Sequence, residues 1–158
     1  MTTFLSPGAY LPHQAPMILL DNVIEVTKER ARCQVTVSHD SVLSPFVDAN
    51  GELPAWYALE LMAQTVGVWS GWHRMMQGES AIALGMVLGA RDLKCELSAF
   101  PAASVLEIEV NLLMQDEKFG SFEAVIRHAD RRLASGRVNT FQPDAGQLAQ
   151  LFNQEALP

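Results

Sequence analysis

Cations are scarce in this chain. Of its 158 residues 11 are Lys or Arg against 18 Asp or Glu, a formal net charge of −7. Nucleic-acid binding needs a basic face for phosphates, so this balance excludes nucleic acid as a partner. Cysteine is scarcer still, with only Cys33 and Cys95. They lie far apart, each in a strand-like pattern, and are expected as small buried residues in a reducing cytoplasm, not as a disulfide or metal pair. The start, MTTFLSPGAYLPH, has no basic n-region, so no secretory signal is expected. Repeats, low-complexity tracts and linkers are missing. Charged residues make up 18% against 49% hydrophobic, which excludes a disordered chain. The length suits one domain, 1–158, with a real core.

Charge is rarest between Leu53 and Met76, LPAWYALELMAQTVGVWSGWHRMM, where Glu60 is the only charged residue before His73 and Arg74. Pro54 suits a first helical turn, because its ring presets φ and its missing N–H would be orphaned anyway. The run 53–76 predicts a helix of roughly 35 Å, apolar all round and therefore buried. A bilayer is the other place for such a helix, but Glu60, Gln64, Pro54 and the strand-rich remainder argue against a membrane span. Ala63, Gly67 and Gly71 form a small-residue stripe that lets another backbone or a sheet come close. A lone carboxylate among Leu59, Leu61 and Met62 would cost several kcal/mol if left charged and unpartnered. Glu60 is therefore the residue to explain.

Around this helix the pattern is mostly strand. In the N-terminal segment 1–20, Pro12 and Pro16 forbid a long helix and Ile18–Leu20 is an apolar turn. A strand begins at Val23, and Ala31, Cys33, Val35 and Val37 alternate with polar residues as a half-buried second strand. Residues 28–30 turn between them. His39–Glu52 is loop, broken by Pro45, Asp48, Asn50 and Gly51. After Gly78, Ile82–Ala90 is apolar enough for a central strand. Leu106, Ile108, Val110, Leu112 and Met114 share one face of the next, opposite Glu107, Glu109 and Asn111. Phe122, Ala124, Ile126 and His128 share a face of another, residues 130–132 make a hairpin, and Ala134–Phe141 is last. The tail 143–158 is polar. The expected fold is α+β, a curved antiparallel sheet wrapped round one long buried helix, with edge strands that invite dimerisation.

Three segments in order resemble the β-hydroxyacyl-acyl-carrier-protein dehydratases. LPHQAPMILLDNVIEV is similar to their N-terminal signature. LPAWYALELMAQTVG is similar to their central helix through Pro54, Ala55, Glu60, Ala63 and Gln64. GARDLKCELSAFPAASVLEIEV is similar to their following strand pair. The resemblance implies the hot-dog fold and at least a dimer. It also implies a substrate carried as acyl-phosphopantetheine on acyl carrier protein, with no cofactor and no metal. Removing water from a 3-hydroxyacyl thioester needs a base for the Cα proton and an acid for the leaving hydroxyl. In the family a His is the base and a central-helix carboxylate the acid, from opposite subunits, while N–H groups at the helix start polarise the thioester carbonyl. Glu60 falls on the carboxylate position. Phe46, Pro54, Ala55, Trp56 and Gln64 fall where substrate would be bound.

The family's His precedes the carboxylate by fourteen residues, where this chain has Phe46. Of the four histidines, His13 is expected in a structural hydrogen bond, His73 at the helix C-terminal end and His128 packed on a strand face. His39 is the remaining substitute for the base, and Asp48 could serve as one, as a carboxylate does in some hot-dog thioesterases. Gly51, Pro54, Ala55, Trp56, Glu60, Met62, Ala63 and Gln64 resemble the dehydratase-like proteins of aryl-polyene lipid clusters. These lack that His and pair with a second hot-dog dehydratase. Three functions follow: a dehydratase subunit completed by a His-bearing homo- or heterodimer partner, a thioesterase using Asp48 or Glu60, and a non-catalytic scaffold subunit.

Overall fold

Alternation of apolar and polar residues builds the sheet. A computed structural model describes residues 3–11, 16–78, 86–116 and 119–141. Strands β1 (Asn22–Val26) and β2 (Arg30–Thr36) precede a two-residue strand β3 (Leu53–Pro54) and the helix α1 (Ala58–Met76). Then come β4 (Met86–Cys95), the short β5 (Ala99–Phe100), β6 (Val105–Gln115), β7 (Phe119–His128) and β8 (Arg131–Phe141). Six strands form one sheet in the order β1-β2-β6-β7-β8-β4, every neighbouring pair antiparallel. α1 contacts all six. A flat sheet could not wrap one helix this way. Register shifts in β1, β4, β6 and the β7–β8 pair supply bulges that bend and twist it. This is the expected α+β architecture of a long helix in a curved antiparallel sheet.

The core is the inner face of the sheet against α1. Ala31, Cys33 and Val35 of β2, Leu106, Ile108 and Val110 of β6, and Phe122, Ala124 and Ile126 of β7 meet Leu61, Met62, Val68 and Trp69 of the helix. Each of the larger side chains contributes about 1.5–3 kcal/mol by leaving water. Trp69 sets its ring edge-on to Phe122 at 5.3 Å and donates its indole N–H to the Lys28 carbonyl. On the outer face Arg32 binds Glu107 at 3.2 Å, Asn111 donates to Glu109, and Arg127 lies 3.8 Å from Glu109. These pairs are solvent-accessible and contribute little stability each.

The small-residue stripe has a definite occupant. The N-terminal strap crosses the helix there, with Tyr10 backbone on Gly71 and the Leu11 side chain on Gly67. Tyr10 and Leu11 are both buried, and the Tyr10 hydroxyl accepts the Leu5 N–H.

Several expectations need correction. The helix starts at Ala58, not Leu53. Leu53–Pro54 pair with Phe100 and Ala99, Ala55 donates to the Ser98 carbonyl, and Ala55–Tyr57 form a 3-10 turn. Pairing to a distant strand overrides the helical pattern there. The helix entrance is also not buried all round, since Trp56 is 76% exposed. The strand read at Ile82–Ala90 runs from Met86 to Cys95 and lies at an edge of the sheet, not its centre. Cys95, on that edge, is exposed, while Cys33 is buried. The hairpin turn is Ala129–Asp130, so Arg131 and Arg132 already belong to β8. His128, beside this turn, is exposed and bonds the Val105 carbonyl rather than packing. His13, residues 79–85 and the tail 143–158 lie outside the described residues.

Candidate active site

Glu60 occupies the first turn of α1. A carboxylate there meets the positive end of the helix dipole, a favourable contact of about 0.3–1 kcal/mol. Neither Pro54 nor Tyr57, the residues preceding the 3-10 turn and α1, caps its helix with a side chain. The Ala58 N–H, first of α1, donates to the Ala55 carbonyl and the Ala55 N–H to Ser98, so the start of α1 is answered within the protein and offers a substrate the positive end of its dipole. Glu60 is half-buried, and its Oε1 accepts a hydrogen bond from Gln64 Nε2 at 3.2 Å.

Gln64 sits one turn further along and is 1% exposed. Its Oε1 accepts the Leu19 N–H at 2.8 Å, and its Nε2 also donates to the Met17 carbonyl at 2.6 Å. The sequence places Gln64 with the substrate-binding residues; the structure engages its whole amide with protein. Nothing in the motif spacing points to Met17 and Leu19, whose contribution is backbone alone.

Phe46 is brought to the helix entrance. Its ring lies 5.4 Å from that of Tyr57, three residues before Glu60, and the Trp56 ring lies 6.1 Å from that of Tyr57. The position that supplies a base in the resembled family therefore holds an apolar ring against the start of α1. Pro54 and Ala55 stand beside it, half-buried, with the Ala55 carbonyl 3.9 Å from Cys95 Sγ.

Asp48 is a turn residue. Its Oδ1 accepts the N–H groups of Asn50 at 2.9 Å and Glu52 at 3.0 Å, closing the loop before β3. The D-A-N-G sequence carries that Asx-turn signal. His39 is exposed beside Gly51, whose φ of +76° suits glycine. His73 bonds the Thr27 carbonyl at 2.9 Å, and its ring lies tilted against Trp69 with centroids 4.4 Å apart. It borders a cavity of about 470 Å³ with Lys28, Ser70 and Asp116, which the sequence does not foretell. Thirteen residues of helix, roughly 20 Å, separate it from Glu60.

The resulting site is one-sided. A carboxyl, an uncapped helix start and an aromatic wall stand together, with no imidazole bonded to them among the described residues. β4 is uncovered, since every residue from Arg91 to Glu96 is exposed. A strand bare on both faces and along one edge is a surface for a second chain.

Comparison with known proteins bears on the family and the fold. A family model described as ApeP-like, ApeP dehydratase, matches residues 5–153. The dehydratase heterocomplex ApeI:P from Xenorhabdus doucetiae contains a chain 54% identical, covering 96% of this chain and 99% of that one, with a TM-score of 0.91. More distant likenesses show the fold alone. One is a point mutant of the phenylacetic acid degradation protein PaaI from Thermus thermophilus (11% identity, TM-score 0.57, covering 77% and 92%). Another is a hypothetical thioesterase protein with coenzyme A from Streptococcus pneumoniae (15%, 0.58, covering 77% and 84%). No curated protein sequence matches significantly. Because the family match spans nearly the whole chain, strap, helix and strands together, this hot-dog protein belongs to the ApeP-like dehydratase family.

Proposed function

We propose that this chain is one half of a two-subunit dehydratase acting on 3-hydroxyacyl thioesters, and that a His-bearing hot-dog partner completes its site. The observation that carries the reading is Glu60 in the first turn of α1, with Phe46 brought to the same helix start against Tyr57. A carboxyl stands at the helix start where the leaving hydroxyl needs a proton, and an apolar ring stands where the base would be. In the reaction the partner's imidazole takes the Cα proton, the C3 hydroxyl leaves with the proton of Glu60 as water, and a C2–C3 double bond forms. The positive end of the α1 dipole polarises the thioester carbonyl. Trp56, Phe46, Pro54 and Ala55 line the approach. The partner docks along β4, whose bare residues Arg91–Glu96 are the support for that edge.

The thioester arrives as acyl-phosphopantetheine on acyl carrier protein, in aryl-polyene lipid synthesis, in the cytoplasm. Support for this setting is the family membership and the heterocomplex named for the Xenorhabdus relative. Among the described residues no helix is long and apolar enough to cross a membrane.

One observation favours a second reading, a scaffold subunit: the Gln64 bond and the helix dipole account for Glu60 without catalysis. The thioesterase reading gains no such support, because Asp48 Oδ1 is engaged by two backbone N–H groups. The test is to measure the mass of the complex and the dehydration rate with the chain alone, with a His-bearing hot-dog partner alone, and with both together. The proposal expects a stable complex whose turnover exceeds the sum of the two. Turnover by the partner alone equal to that of the complex would leave the scaffold.

A further inference from the structure

Trp56 is the most exposed large apolar side chain among the described residues. A covered Trp removes about 150–250 Å² of surface from water, so a bare one forgoes one of the largest burials a side chain can make. Its backbone is fixed all the same. Trp56 is the middle residue of the 3-10 turn Ala55–Tyr57, tied at one end by the Ala55 N–H to the Ser98 carbonyl and at the other by the Ala58 N–H to the Ala55 carbonyl. Its ring lies against Tyr57, and Tyr57 against Phe46, with centroids 6.1 and 5.4 Å apart. A ring presented on a fixed base loses little freedom when something covers it.

The same ties set the ring beside the bare strand. Ser98 follows the end of β4 by three residues, and the Ala55 carbonyl is 3.9 Å from Cys95 Sγ. Residues 91–96 and Ser98 are exposed. Trp56 and the bare end of β4 therefore belong to one continuous surface. A second copy of this chain is a poor occupant for it, because two chains of net charge −7 repel and both carry Phe46 in place of the base. We propose that Trp56 anchors the interface with the His-bearing partner, its ring seated in an apolar pocket of that subunit as β4 docks. Buried Trp side chains are prominent among the few residues that carry most of an interface's binding. The ring then lines the approach to Glu60 by closing it against the partner, so that assembly and completion of the site are one event. The proposal rests on the reading of this chain as one half of a two-subunit enzyme.

The test is the Kd of the complex. Trp56→Ala should raise it about 30-fold or more. The thermal midpoint of the isolated chain should change little, because the ring is exposed there. Trp56→Phe should recover part of the affinity. An unchanged Kd with Trp56→Ala would overturn the proposal and leave the two-subunit reading standing, with any loss of turnover then assigning the ring to substrate. If the wild-type chain and the partner form no complex, the two-subunit reading fails and the proposal with it. Should Trp56→Ala disturb the isolated chain, the wild-type ring decides. In a chain labelled with fluorotryptophan, the Trp56 resonance is the one missing from Trp56→Phe. Its shift between water and heavy water should be present in the free chain and lost in the complex with unlabelled partner; a shift that persists in the complex would overturn the proposal.

Discussion

The backbone of Tyr10 rests directly on Gly71. A Cβ at position 71 would overlap the Tyr10 carbonyl, with the carbonyl carbon at 2.8 Å and Cα at 3.0 Å. Gly71→Ala tests this contact cleanly, because two effects oppose. Helix propensity favours Ala by about 0.8–1 kcal/mol. Forcing a methyl into backbone costs about 1–3 kcal/mol or more, and here the atoms met are main chain that cannot rotate aside. Overpacking wins, so Gly71→Ala should lower the thermal midpoint and loosen the strap. A raised midpoint would show that the strap does not lie there.

The two thiols should behave oppositely. Burial pushes Cys33 up to about 12 from an ordinary 9.0, against a smaller opposing hydrogen bond with Thr65. Cys95 is raised by partial burial but reaches solvent. A thiol reagent near pH 8 should modify one cysteine in the folded isolated chain and two after denaturation. Complex formation over β4 should protect Cys95.

Cys33 also sets a pH dependence. In the unfolded chain its proton leaves near pH 9, whereas the folded chain holds it to about 12. Between those values the unfolded state binds fewer protons, so this contribution is complete below pH 9 and is lost as pH rises towards 12. The slope is about 1.4 kcal/mol per pH unit. Denaturant unfolding from pH 8 to 11 should show that decline, and Cys33→Ala should flatten it relative to wild type.

Alone, the chain should dehydrate 3-hydroxyacyl-carrier-protein thioesters barely or not at all. General-base catalysis is worth about 10²–10⁴-fold, and Phe46 cannot supply it. Full turnover by the isolated chain would mean that another base exists, and Asp48→Asn and His39→Ala would identify it. Asp48→Asn keeps an acceptor for Asn50 and Glu52, so the loop should survive that substitution.

Much of the architecture was legible in the residues. A run from Leu53 to Trp72 with Glu60 as its single charge marked the helix, the alternation from Leu106 to Leu112 marked the sheet face, and the Gly67–Gly71 stripe marked a close approach. What escaped was set by distant partners. Leu53 and Pro54 look helical until Phe100 and Ala99 pair with them, and no local pattern announces that. Cys95 reads as buried from its strand-like surroundings, but the strand lies at the sheet edge. At the site, the type and position of Glu60 were readable. The clamp of Gln64 on Met17 and Leu19 was not, because its partners are backbone atoms 45 and 47 residues away.

Donation of the proton by Glu60 in a shared site is tested most directly by turnover of the complex carrying Glu60→Gln on this chain. Gln keeps the shape and can still meet Gln64, but it has no acidic proton. The control removes the partner subunit's own helix carboxylate instead. Glu60→Gln should cost at least ~10²-fold with complex mass and stability unchanged, and activity should survive the partner's substitution. Near wild-type turnover with Glu60→Gln, lost when the partner's carboxylate is removed, would contradict it and leave this chain a scaffold.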